Sequence, residues 1–415
     1  MSRLPLRVAM IHLSDFVLDS RVQRHARALA ERGDEVHLIC IGERRQLRVG
    51  AGSIHVHPVN ARKARGGAGT YIRSYSSFLA RALARVSALD LRLRFDVVEA
   101  HNMPDLVVAA ALVPRLRGTP VVLDVHDTFP ELFATKFPNP RQRLAVRILE
   151  LEEWGCAAFS SRVVAVTEQA RKRLSTRGVG VEKTTVVMNS PDERVFGPPR
   201  PPVRWPLREP LRILYHGGLA PRFGVDTLIR AVGLLSEETS AMQQAPAVEL
   251  RVCGSGEERE RLAALAHELA PGRVDVAREP VPFERIPGEL ERAHIGVVPT
   301  LHDRFTELLL PVKLLEYVHM GLPVIASRLP CICDYFSEDE DLRMFTAGDP
   351  HELAAALREL SLDPSAARER AVRASARLQP IAWERQRDRY LALVDELAPA
   401  PATRRARPVP LSTHR

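Results

Sequence analysis

Short apolar runs alternate with helix-patterned segments along nearly the whole chain, and this alternation limits the possible folds more than any other feature. Runs at 6–13, 35–41, 96–100, 121–125, 162–167 and 185–188 read as strands. After the first of them, Val22, Ala26, Leu29 and Ala30 recur at helical spacing and Gly33 supplies a stop, so a helix is expected over 20–32. Further helices are expected over about 104–116 and 140–159. Consecutive parallel strands need a crossover between them, so a βαβα rhythm predicts a parallel sheet covered by helices on both faces. A second set follows, with strands at 211–215, 248–253, 274–276, 295–299 and 324–327. Its helices fall at about 224–235, 256–270, 284–292, 311–320 and 350–360. Between the sets, GPPRPPVRWPLREP at 197–210 holds too many prolines for regular structure and reads as a linker. The expectation is α/β, with two doubly wound parallel-sheet domains at 1–197 and 211–378, a linker at 198–210, a helix at 379–398 and a disordered tail from 399.

A chain of 415 residues with 45% hydrophobic content can bury two cores of this size. No apolar run approaches the ~18–20 residues of a membrane span. The N-terminal apolar segment is short and broken by Arg7 and His12, which suits a buried strand better than a secretory signal. Five cysteines, an odd number set mostly in strand-like runs, favour a reducing cytosol over a disulfide framework. Cys331-Ile332-Cys333 lacks the second pair that a zinc site needs, and no metal is expected.

The net charge of +8 fits nucleic acid, an anionic membrane or an anionic nucleotide. Between Arg62 and Arg94 stand Arg62, Lys63, Arg65, Arg73, Arg81, Arg85, Arg92 and Arg94 against the single acid Asp90. Tyr71, Tyr75, Phe78, Leu79, Ala82, Leu83, Val86 and Leu89 share that stretch at helical spacing. Such a helix either packs on the core with a solvated arginine face or touches anionic lipid. Nucleic acid is not expected, because the arginines lack interleaved aromatic platforms.

Chemistry concentrates in 306–327, TELLLPVKLLEYVHMGLPVIAS. Pro311 suits a first helical turn, and Gly321 with Pro323 ends the helix. Lys313 and Glu316 are three apart and neighbours on its surface. Two readings stay open: a solvated ion pair, or a half-site in which the helix start and the ammonium take a phosphate while the carboxylate takes vicinal hydroxyls. His216-Gly217-Gly218 and Gly254-Ser255-Gly256 follow strands of the same domain, and glycine there would let the backbone approach a ligand. They are equally simple strand-to-helix connections.

The run LPVKLLEYVHMGLPVIAS resembles the donor segment of the retaining GT-B glycosyltransferases, in particular family 4. The likeness continues through VVLDVHDTFPE at 121–131, VVMNSPDERVF at 186–196, LYHGGLAPRFGVDTLIRAV at 214–232 and LRVCGSGEERERLAALA at 250–266. It implies a GT-B fold, with two Rossmann-like domains facing a central cleft and the last helix, anchored by Trp383 and Tyr390, crossing back to the first domain. It implies transfer of a sugar from a nucleotide-diphosphate sugar to a glycan, lipid-linked or small-molecule acceptor, with retention of configuration and without a metal or other cofactor. A role in polysaccharide biosynthesis is expected with it, and the cysteines and the basic helix add the expectation of a cytoplasmic protein with peripheral contact at the inner face of an anionic membrane.

By the resemblance, His126 meets the reacting sugar; a strand-end histidine bonded to a neighbouring acid, Asp124 or Asp127, is the plain alternative. Asp15, Asp19, Arg21, His101 and Asp127 become acceptor-side candidates, although Asp19 would serve equally as a helix N-cap. Two departures stand out. The family's two diphosphate-gripping cations correspond here to Gly218 and Phe223, leaving Arg222 and Lys313 as substitutes. The family's second donor glutamate, eight positions before Glu316, falls on Leu308, with Glu307 beside it. A nucleotide-sugar 2-epimerase and a catalytically silent binding protein with the same pair of domains are the rival readings.

Overall fold

A computed structural model describes residues 4–61, 68–137, 142–203, 210–242, 247–338 and 340–398. Arg62, Lys63 and Arg65, most of the second half of the proline stretch and the tail from 399 lie outside the described residues. The chain forms two compact units, one running to Met188 and resuming at Glu384, the other spanning Asn189–Trp383.

The first unit holds β1 (Arg7–Asp15), β2 (Glu35–Ile41), β3 (Arg45–Val49), β4 (Gly52–Pro58), β5 (Val97–His101), β6 (Val121–Val125), β7 (Arg162–Ala165) and β8 (Thr184–Val186). They lie in the order β3-β4-β2-β1-β5-β6-β7-β8, all parallel except the β3–β4 hairpin. β5 and β6 are buried along their full length, as strands covered on both faces must be. Leu6, Val8, Met10, Val36, Leu38, Val122 and Val164 form the core with Leu29 of the helix Ser20–Glu31. From the C-terminal helix Trp383–Leu397, Tyr390, Leu393 and Val394 enter the same core, whereas Trp383 belongs to the other unit.

The helix Ala68–Leu93 buries Phe78, Ala82 and Val86 and exposes Arg73, Arg81 and Arg92, so its apolar stripe is consumed by packing. The described part of the basic segment is therefore a helix that packs on the core and keeps a solvated arginine face. The expected helix over 104–116 is instead a 3-10 segment, Asp105–Ala111, followed by one short helix, Leu112–Leu116. Pro104 opens it and Pro114, with no N–H to give, limits its extension.

The second unit is a six-stranded parallel sheet of order β11-β10-β9-β12-β13-β14. Its strands are β9 (Leu211–Gly218), β10 (Val248–Ser255), β11 (Val274–Val276), β12 (Ile295–Val298), β13 (Val324–Ser327) and β14 (Arg343–Phe345). Ile213, Tyr215, Val252, Val297 and Ile325 pack with Leu228, Val232 and Leu357 of the covering helices. The helix Val312–His319 follows β12 and ends where Gly321 adopts φ +75°, a conformation open to glycine at little cost. The visible part of the proline stretch is tied down: Arg200 N donates to His319 O at 2.8 Å and Val203 N to Gly321 O at 2.9 Å.

Candidate active site

Each unit gathers polar side chains at the carboxyl ends of its strands, where parallel sheets leave backbone groups open to ligands. In the second unit the centre is Lys313, in the first turn of the helix Val312–His319. Its Nζ donates to Tyr215 Oη at 2.8 Å and lies 4.1 Å from the centre of the Tyr215 ring and 5.0 Å from that of Phe223. Gly217, at φ +122°, makes room for it: a Cβ there would stand 2.8 Å from Nζ. Burial brings the Lys313 ammonium down to about 7, with Glu316 pulling the other way. Pro311 stands at the N-cap position rather than within the helix, and brings no side-chain oxygen to the first-turn N–H groups. The helix start therefore keeps its pull on an anion.

Glu316 is buried, with Oε2 3.2 Å from His216 Nε2. Burial, then the neighbouring Lys313, lowers His216 to about 3, so the imidazole is neutral at neutral pH. The backbone N of His216 donates to Tyr317 Oη at 3.0 Å, and Tyr215 Oη to Gly218 O at 2.7 Å. Two tyrosines that sequence reasoning did not single out, Tyr215 and Tyr317, thus fix the turn beneath Lys313. A tyrosine that ends an apolar strand directly before His-Gly-Gly is the signal that pointed to the first of them.

Several donor-side expectations change. A Cβ on Gly254 would meet Gly217 O at 2.3 Å, and one on Gly256 would meet Leu219 O at 2.1 Å; both glycines serve close packing between β10 and the turn after β9. Leu308 is buried and its side chain offers nothing polar. Glu307 Oε2 lies 3.7 Å from His302 Nε2. Arg222 sits over the Phe305 ring at 5.6 Å, and Phe223 brings its ring to Lys313 and to Gly218, where a Cβ would approach it to 2.7 Å. A cavity of about 600 Å³ among Arg212, Glu249, Arg251 and Arg273 lies at the opposite strand ends and contains none of these residues.

In the first unit the centre is Asp124, a charge inside the apolar strand β6. Arg21 grips it with both ends of the guanidinium fork, Nε to Oδ2 at 2.9 Å and Nη2 to Oδ1 at 2.7 Å, and donates through Nη1 to Val187 O. Arg21 is therefore an internal partner of Asp124, not an acceptor contact. Burial raises the Asp124 carboxyl, but Arg21 and His126 outweigh it and hold it well below the usual range. His101, fully buried, places Nδ1 3.1 Å from Asp124 Oδ2 and 3.2 Å from His126 Nε2; it lies within the domain rather than on an open surface. His126 is partly exposed, with Nε2 3.1 Å from Asp124 Oδ2 and its backbone N donating to Asn102 Oδ1 at 2.7 Å. Asn102 also donates to Asp127 O, fixing the turn after β6.

Asp19 caps the helix Ser20–Glu31 by accepting from Arg21 N and Val22 N, and also faces His12 at 3.4 Å and His126 at 3.9 Å. Burial raises its pKa, but His126, His12 and the Val22 N–H prevail and bring it to about 2. Asp15 accepts from Val17 N and packs against Gly42. Behind them, His25, Glu99, His101 and Asp124 bring four metal-ligand atoms within 4.8 Å of one another. Within this group Arg21 pairs with Asp124, and Tyr390 Oη donates to Glu99.

With this geometry in hand, residues 19–195 match the family described as Glycosyltransferase Family 4 and residues 210–363 the family described as Glycosyl transferases group 1. A glycosyltransferase family thus matches each half of the chain. A curated relative from Thermomonospora curvata, D-inositol 3-phosphate glycosyltransferase, is 26% identical over 290 residues, 66% of this chain and 65% of its own length. Its namesake from Acidothermus cellulolyticus is 25% identical over 295 residues, 68% of this chain and 63% of the relative. The chain thus spans just under two thirds of these relatives. Among solved structures, sucrose-phosphate synthase from Thermosynechococcus elongatus superposes with a TM-score of 0.73 at 17% identity, over 94% of this chain and 99% of that one. Anabaena Alr3699/HepE, solved with UDP-glucose, gives 0.66 at 15% identity, over 94% and 100%. These likenesses establish the fold as GT-B. Lys313, Glu316 and the His216–Gly218 turn fall within the group 1 domain; Asp19, Arg21, His101, His126 and Asp127 fall within the family 4 domain, with Asp15 just before it.

Proposed function

We propose that the protein is a glycosyltransferase that moves a sugar from a nucleoside-diphosphate sugar to a hydroxyl acceptor, a glycan, a lipid-linked sugar or a small polyol. The observation that carries this reading is the Lys313 site: a half-buried ammonium and an uncapped helix start beside a buried carboxylate, within the residues that match glycosyl transferases group 1. The diphosphate lies against Lys313 and the first-turn N–H groups, and Glu316 accepts from the ribose hydroxyls. As the sugar–oxygen bond breaks, negative charge builds on the leaving diphosphate, and preorganised positive groups stabilise it there without reorganising. Retention of configuration and independence of a metal accompany this reading. Arg222, on the loop after β9, is a second cation for the same diphosphate.

On the first unit, the same reading gives His126 the contact with the reacting sugar; its ring lies against Asp124 and its backbone N donates to Asn102. The polyol phosphate named in the curated relatives supports a hydroxylated acceptor. A thermal-shift series with UDP, GDP and ADP and their sugars identifies the donor, since a ligand of the native state raises the melting temperature. With that donor and an acceptor, Lys313→Ala and Glu316→Ala are each expected to lower transfer at least ~10²-fold, about 2.7 kcal/mol of transition-state stabilisation. Wild-type turnover by both variants would remove the site. Product formation from donor alone would point to a 2-epimerase, and tight donor binding without turnover to a silent binding protein.

A further inference from the structure

Four polar side chains converge in the interior of the first unit. Glu99 and His101 stand two apart on β5 and so point to the same face of the sheet. Asp124 is the register partner of His101 on β6, and His25 reaches them from the helix Ser20–Glu31. All four are at most 1% exposed. His25 Nδ1 lies 3.0 Å from Glu99 Oε1 and 3.7 Å from Asp124 Oδ2. His101 turns Nδ1 to Asp124 Oδ2 at 3.1 Å and Nε2 toward Glu99 Oε1 at 3.8 Å, and this Nε2 has no hydrogen-bond partner among the described residues.

Glu99 Oε1 and Asp124 Oδ2 thus converge between two imidazoles, away from water. Two negative oxygens in such a place are costly without positive charge between them. Asp19, Glu99 and Asp124 set their carboxylates against the guanidinium of Arg21 in this part of the domain, and a divalent ion offsets the remainder with the imidazoles uncharged. Zinc holds nitrogen and oxygen ligands at ~2.0–2.1 Å in a tetrahedron, which spaces the ligand atoms about 3.3 Å apart. The separations here fall on both sides of that value. The outer contacts also suit ligands. Tyr390 Oη donates to Glu99 Oε2 and its ring stacks on His25 at 4.0 Å, while Arg21 Nη2 donates to Asp124 Oδ1 at 2.7 Å. Asp124 Oδ2, which accepts from Arg21 Nε at 2.9 Å, keeps a second lone pair. Carboxylates that ligate metals are oriented by hydrogen bonds of this kind.

We propose that His25, Glu99, His101 and Asp124 bind a divalent transition-metal ion of the zinc class, which fastens the helix Ser20–Glu31 to β5 and β6. Two imidazoles and two carboxylates form a closed four-coordinate set for zinc, whereas magnesium and calcium take oxygen ligands in larger number. The site is structural, because four protein ligands leave no position open for a substrate. The partly exposed His126, 3.2 Å from His101, marks the way in. The ion goes beyond the proposed transfer reaction, whose independence of a metal concerns the diphosphate.

The test uses the full chain without an affinity tag, purified without chelator. Elemental analysis is expected to find zinc in near-equimolar amount. Dialysis against dipicolinate should lower the calorimetric transition of the first unit by at least ~5 °C. Zinc should restore it and magnesium should not, while the transition that UDP raises stays in place. Cobalt added to the stripped protein should give the visible absorption of a tetrahedral ion, and His25→Gln and Glu99→Gln should each lose it. Tyr390→Phe, which removes only an outer hydrogen bond, should weaken zinc binding at least ~10-fold. A chain free of metal, whose first transition ignores both chelator and zinc, overturns the proposal. A cobalt band that persists in His25→Gln and Glu99→Gln places the ion elsewhere and likewise overturns it. The UDP-induced shift is read separately, so either failure leaves the proposed transfer reaction standing.

Discussion

Lys313 is a lysine whose charge is held in reserve. Around it, Tyr215 is pushed by burial far above neutrality, and His216 is lowered to about 3, so both stay neutral near pH 7; Glu316 is the carboxylate on its own helix. The Lys313 ammonium, brought down by burial to about 7, therefore titrates where its neighbours do not. A bound diphosphate favours the charged form and raises that value. Donor binding at and above pH 7 should then take up a proton, and affinity should fall as pH rises through about 7. Calorimetry in two buffers of different ionisation enthalpy measures the uptake directly. Lys313→Arg, charged throughout, should bind without it; an uptake that persists in that variant would place the titrating group elsewhere.

At the scale of elements, β6 shows how a buried charge organises a domain. Asp124 stands in a fully buried strand and is held by Arg21 from the first helix, by His101 from the end of β5 and by His126 just past β6 itself. Arg21→Met keeps much of the side-chain volume but leaves the carboxylate without its fork, a change expected to cost about 3–5 kcal/mol. Urea unfolding followed by circular dichroism measures it. A loss below ~1 kcal/mol would mean that the histidines alone satisfy Asp124. The sequence showed the oddity, an aspartate amid valines and leucine, but not its partner. Arg21 lies 103 positions away, and which of several loop arginines reaches β6 depends on how the helix Ser20–Glu31 packs across the sheet.

Over the whole molecule, two hydrophobic cores share one chain, and the last helix contributes to the first. Ending the chain after Trp383 removes Tyr390, Leu393 and Val394 from that core and the hydroxyl that donates to Glu99. Scanning calorimetry should show the transition of the first unit lowered by many degrees, because burying such side chains is worth about 2–5 kcal/mol each. The transition that UDP raises, belonging to the second unit, should stay in place. Coincident loss of both transitions would mean that neither core stands without the other.

The strand and helix rhythm, the place of the Lys313 helix and its Gly321 stop were legible in the sequence, because hydrophobic period and capping chemistry act over a few residues. The β3–β4 hairpin and the 3-10 form of Asp105–Ala111 were not, since the first is a short edge element and the second answers to prolines at both of its ends. At the candidate site the sequence named Lys313, Glu316 and His126. Tertiary packing then decided that Arg21 and His101 face inward, that Gly254 and Gly256 serve strand packing, and that Phe223 and Tyr215 wall the ammonium. It also packed one face of the arginine-rich helix on the core and left Leu144, Ile148 and Leu151 of the helix Gln142–Phe159 exposed. Local pattern fixes which residues share a face; only the packing of distant elements determines whether that face meets a core, a ligand or water.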